Sequence, residues 1–127
     1  MDFAFTSLPP DLRNAVRGDI GKKMPEELLL MSIGEVQDDV NREIRRHKKS
    51  LGALSSVHSS VRSGIERLSE RVGSTSRDPL EIMDSTYKAA TEGLTRGMRI
   101  NLIATLEVRG VSQANAEKVA QEIIAKL

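Results

Sequence analysis

The chain of 127 residues contains no cysteine and no tryptophan. Disulfides and thiolate metal sites are therefore excluded, and folding needs no oxidising compartment. The aromatics are Phe3, Phe5 and Tyr87 alone. Sandwiches and barrels draw on aromatic and β-branched residues, so their scarcity argues for helices. Charge of one sign is lacking too. Lys and Arg number 19 against 18 Asp and Glu, and residues 1–64 carry 10 against 9. Neither half is a polycation or an acidic tail, so bulk charge points to neither nucleic acid nor a membrane surface. The longest apolar run, Leu28 to Met31, is far too short to span a bilayer. Nothing at the start reads as a signal peptide, so synthesis in the cytoplasm is expected.

What is present is helical periodicity. Residues 1–24 read as a short N-terminal arm, with Ser7 as candidate N-cap, Pro9 and Pro10 in the first turn, and an apolar face of Leu12, Ala15 and Val16 interrupted by Gly18 and Gly21. So short a helix is unstable alone, and a frayed terminus is expected. Pro25-Glu26-Glu27 then opens a long amphipathic segment, 25–72. Its apolar seam runs Leu29, Ile33, Val36, Val40, Ile44 at steps of three and four. With His47 filling one gap, the seam continues in phase through Leu51, Leu54, Val57, Val61, Ile65, Leu68 and Val72. Against continuity stand Gly52, Gly64 and six serines between 50 and 63. The segment is one long helix with a soft middle or two collinear helices broken near 50–55.

Residues 73–77 read as a linker. The C-terminal helical region, 78–127, starts with Asp78 as N-cap, Pro79 in the first turn and Glu81 completing a capping box. Its first helix carries Leu80, Met83, Tyr87, Ala90, Leu94 and Met98 on one stripe and ends at Gly110. A last helix starts after Ser112 and turns Val119, Ala120, Ile123, Ile124 and Leu127 inward. The fold expected is all-α.

Four groups of residues bear on function. Ala89, Gly93 and Gly97 lie four apart and mark either a close helix–helix crossing or a hinge at 93–97. Arg42, Arg45, Arg46, Lys48 and Lys49 are a possible phosphate contact. No aromatic platform accompanies them, and acids one turn earlier favour a solvated charge cluster, with Asp38 four residues before Arg42. His47 and His58 are eleven apart and cannot share a metal as an i,i+4 pair does; His47 is expected half-buried on the seam. No nucleophile elbow, phosphate loop, zinc motif or dinucleotide fingerprint is found, so no catalytic residue, cofactor or metal is assigned and a non-enzymatic role is expected. Gly110-Val111-Ser112-Gln113 resembles the turn of a helix-turn-helix DNA reader. Leu106, however, stands where that motif has a small residue, and Gln113, Asn115 and Lys118 come without an arginine. A plain helical hairpin is the simpler reading.

The stretch from Asp78-Pro79-Leu80, through the helix with Tyr87, to Leu102-Ile103-Ala104-Thr105-Leu106-Glu107-Val108-Arg109-Gly110-Val111 resembles the C-terminal region of type III secretion inner-rod proteins. Those are similar to the flagellar basal-body protein that joins rod to export gate. The resemblance covers about residues 76–112. It implies a small helical subunit that assembles through its C-terminal helices around an export channel in the cell envelope. Family members commonly end soon after the segment matching Arg109-Gly110, whereas this chain continues to Leu127, and the basic stretch 42–49 is not expected there.

The seam of 25–72 is longer than the helix that follows, so part of it is expected to stay uncovered and to mark an interface. The interface residues expected are Leu29, Ile33, Val36, Val40, Ile44, Leu54, Val61, Ile65 and Leu68, with Ala89, Gly93, Leu94 and Gly97. The expected partner is protein, as a homo-oligomer or larger assembly with no membrane span. A dimeric nucleic-acid-binding regulator and an adaptor or chaperone for a partner helix are the alternatives.

Overall fold

A computed structural model describes residues 2–22, 24–73 and 77–127, without the side chains of Arg77 and Asp78. Among the described residues there are four α-helices, one 3-10 turn and no strand. The helices are α1 (Pro10–Gly21), α2 (Glu26–Val72), α3 (Arg77–Val108) and α4 (Gln113–Ala125). The all-α reading of the periodicity holds.

One open choice is decided and two boundaries differ from expectation. α2 is one helix of 47 residues with no break at 50–55. The apolar phase carried through that stretch outweighs the roughly 1 kcal/mol that Gly52 costs in propensity. The linker is shorter than 73–77, because Arg77 already lies in α3, and Asp78 is therefore inside the helix and not its N-cap. The side-chain part of the capping box lies outside the described residues, as do Ser74, Thr75 and Ser76. Gly73 closes α2 at φ +73°, a conformation open to glycine at no steric cost. The arm, too, is better ordered than a frayed terminus. α1 has 12 residues and starts at Pro10 after Pro9, while the hydroxyl of Ser7 donates to the Ala4 carbonyl and caps nothing.

The chain forms two compact units, residues 1–46 with 96–127, and residues 47–95. The first unit holds every fully buried apolar side chain among the described residues. These are Phe5, Leu8, Val16 and Ile20 from the arm, Val36, Val40 and Ile44 from α2, and Met98, Leu102 and Leu106 from α3. Val111 and, on α4, Ala116, Val119, Ala120 and Ile123 complete the core. Each large member contributes about 1.5–3 kcal/mol by leaving water. The α3–α4 turn is a Schellman closure, with Gly110 N–H on the Glu107 carbonyl (3.0 Å) and Val111 N–H on Leu106 (3.0 Å). Gly110 has φ +97°, and Leu106 and Val111 are both buried across the turn. Ser112 then caps α4 through Asn115 N–H at 3.4 Å, as the sequence indicated, but Leu127 is exposed rather than inward.

In the second unit the two helices return along each other. His58 of α2 stacks on Tyr87 of α3 at 4.2 Å between ring centres and 18° between planes. Its Nε2 lies 2.9 Å from Asp84 Oδ1, and Arg62 reaches the other oxygen of Asp84 at 2.5 Å. Leu51, Leu54, Ile65, Met83 and Leu94 are only half-buried.

Candidate interaction surfaces

The α2 seam is used in two ways. Val36, Val40 and Ile44 were expected at an interface but are core, covered from within the chain by α1, α3, α4 and the arm; Leu29 and Ile33 pack partly buried against the same core. The correction is physical: the arm supplies Phe3, Phe5 and Leu8, which the linear pattern gave no reason to bring to α2. His47 is buried outright, at 6% exposure. Farther along, Leu54 and Ile65 are half-buried while Val57, Val61, Leu68 and Val72 are exposed at 61, 45, 62 and 70%. Among the described residues from Lys48 to Thr95, none is fully buried.

The arm is held by a device that hydrophobic periodicity does not reveal. Phe3 N–H donates to Asn41 Oδ1 at 2.6 Å, and Asn41 Nδ2 donates back to the Phe3 carbonyl at 3.0 Å. One turn earlier, Gln37 Oε1 accepts from Phe5 N–H at 2.8 Å. Two amide side chains at i and i+4 thus satisfy the main chain of an extended segment while its phenylalanines enter the core. The available signal was a pair of amides on the flank of the seam.

Two charged clusters lock the first unit. Arg109, at the end of α3, reaches Asp39 at 2.9 Å and Glu35 at 2.7 Å on α2. The hydrogen bond that it donates to Asp39, with Glu35 adding its charge, holds the guanidinium more firmly in its charged form. Asp19 of α1 accepts from Asn115 Nδ2 at 2.7 Å and from Ser112 N–H at 3.0 Å, at the N-terminus of α4. Those two bonds hold the Asp19 carboxyl below the usual carboxylate range. Asn115 is thereby engaged within the fold and is not free to read a base edge.

The possible phosphate contacts fall on the exposed side of α2, and several are already occupied. Arg42 pairs with Asp39 at 3.4 Å, not with Asp38, and Arg46 pairs with Glu43 at 3.4 Å. Arg45 donates to the Asn41 carbonyl at 3.2 Å, while Lys48 and Lys49 are exposed. A groove of about 460 Å³ runs beside Arg42 and Arg46, with Asn101 donating to buried Glu43 at 3.0 Å and Val108 on its rim. Acid and base alternate there, so the groove presents no net positive field to an anion.

The small-residue face of α3 is open at Ala89 and Gly97. Ala89 is exposed, Gly93 and Gly97 are intermediate, and a Cβ added at Gly97 would meet nothing within 4 Å. Among the described residues no atom approaches Gly97 closely enough to mark a tight crossing there, and α3 runs unbroken through 93–97, so the helix has no break at that point. The Asp84–His58 pair has the form of a base and its orienting acid, but no hydroxyl is hydrogen-bonded to His58 among the described residues. No group of three metal-ligating residues is found among the described residues, and none of their helices is long and apolar enough to cross a membrane. Comparison with family models, curated proteins and solved structures found no match for this chain.

Proposed function

We propose that the chain is a non-enzymatic helical assembly protein whose second unit, residues 47–95, is its interaction surface. One observation carries this reading. Helices are held in place mainly by burial of an apolar face, yet none of the described residues from Lys48 to Thr95 is fully buried, and Val57, Val61, Leu68, Val72 and Ile82 face solvent. An uncovered apolar surface of that extent is what protein partners cover. The sharpest form of the proposal is an inner-rod-like subunit of a type III export apparatus at the cell envelope. Its support is the resemblance over about residues 76–112, together with the continuous helix Arg77–Val108 and the glycine stop at Gly110.

The nucleic-acid reading has less support, because Arg42 and Arg46 are paired with acids of their own helix. Sedimentation at low salt, with and without duplex DNA, separates the two. The assembly reading expects association that DNA does not alter. Association that requires DNA and dissolves steeply with salt would overturn it. For the rod-like form, the gene should lie beside genes of an export apparatus, and a solitary gene would count against that form alone.

A further inference from the structure

The exposed residues of α2 are ordered in a way that selects one kind of partner. Val57, Val61, Leu68 and Val72 fall within an arc of about 60° on the helix, beside the half-buried face of Leu54, His58 and Ile65. Their spacing is four, seven, four, which reads the same in both directions. A two-fold axis midway between Gly64 and Ile65 therefore sets Val57 opposite Val72 of a second copy and Val61 opposite Leu68. At the crossing point stands Gly64, where an added Cβ would meet nothing within 4 Å, so a second backbone can approach closely.

Charge agrees with an antiparallel pairing. The unit 47–95 carries seven Lys and Arg against six Asp and Glu, so two copies do not repel strongly. Glu66 and Glu70 point to the far side of α2 from this arc, and the charged residue beside it is Arg71; antiparallel pairing places Arg71 opposite His58 of the second copy, whereas parallel pairing places it against itself. Arg67 falls opposite Arg62, whose charge Asp84 and Glu66 already balance within the chain.

We propose that residues 57–72 of α2 form the contact surface of an antiparallel two-fold dimer, in which the hairpins of two copies cover each other. The dimer is isologous, the same patch serving both partners. The proposal rests on the assembly reading above and names its surface and first partner.

The chain has no cysteine, so introduced ones report without interference. Full-length Val61→Cys and Leu68→Cys proteins of distinguishable mass are mixed under mild oxidation. The expected product is the mixed 61–68 disulfide, in excess over either homodimer, because two copies of residue 61 lie about 10 Å apart along the axis. Dominant 61–61 and 68–68 products would overturn the antiparallel arrangement. In parallel, sedimentation equilibrium of the unmodified chain should give twice the chain mass, and Val61→Glu with Leu68→Glu should halve it at unchanged helical circular dichroism. Both positions are exposed within the chain, so the charges disturb no internal core; if the double variant nevertheless unfolds, the disulfide pattern decides. A chain that stays monomeric at about 100 μM would overturn both this dimer and the self-association on which it rests. Association that survives both glutamates, with no 61–68 product, would overturn the dimer and leave an assembly through another surface or another protein standing.

Discussion

Asn41 and Gln37 show how much a single amide can decide. Each sits on α2 beside the apolar seam, and between them they satisfy three main-chain groups of the arm. Asn41→Leu keeps the approximate volume but strands the Phe3 N–H and carbonyl, a cost on the order of 1–3 kcal/mol. The expected outcome is release of the arm, read as faster amide exchange at Phe3 and Phe5 and earlier proteolysis before Pro9, with α2 itself intact. Unchanged protection at Phe3 and Phe5 would mean that the phenylalanines alone anchor the arm. Asp19 is the second residue with a measurable signature. Its carboxyl is held below its ordinary value by Asn115 and Ser112. The stability it supplies is therefore present above about pH 4, the unfolded-state value, and is lost as pH falls through the lower folded-state value. Asp19→Asn should destabilise at pH 7 by about 1–2 kcal/mol and flatten part of the acid limb below about pH 4. Asp84, held down by Arg62 and His58, contributes to the same limb in both proteins, so the difference between them isolates Asp19. Parallel acid limbs would refute the Asp19 cap.

At the scale of elements, the helices were legible because their causes are local. Apolar steps of three and four, Ser112 before α4 and Gly110 after α3 act within one or two turns, and the structure has them where the sequence indicated. The continuity of α2 was legible only in part. Propensity at Gly52 and the serines argued for a break, seam phase argued against it, and the phase prevailed. Gly52 sits in mid-helix with nothing within 4 Å of an added Cβ. Gly52→Ala should therefore slow local opening of α2 around residue 52 by about 1 kcal/mol, measured by native-state amide exchange. No effect, or destabilisation, would indicate that the helix bends or opens there in solution. What was not legible depends on residues far apart in the chain. The bonds from Asn41 to Phe3 and from Asp19 to Asn115 join residues 38 and 96 positions apart. No periodicity encodes such pairings, which is why Val36, Val40 and Ile44 read as interface when they are core.

For the whole molecule, the unequal distribution of burial is the main result. The unit of residues 1–46 with 96–127 contains every fully buried apolar side chain among the described residues, whereas 47–95 offers half-buried contacts, a His58–Tyr87 stack and exposed ion pairs such as Arg62–Glu66. Exposed pairs are worth about 0–1 kcal/mol each, too little to replace burial. The sequence carried the total length of the seam but not its division, because which half is covered depends on where the arm and α4 return. If 47–95 completes its core from outside the chain, its protection must depend on protein concentration. Amide exchange across α2 at two protein concentrations, one below and one well above the association range, tests it directly. Amides of residues 54–70 should then exchange more slowly as concentration rises, while those of 36–46 do not change. Protection of 54–70 that is independent of concentration and equal to that of 36–46 would contradict it, since the hairpin would then be stable without a partner.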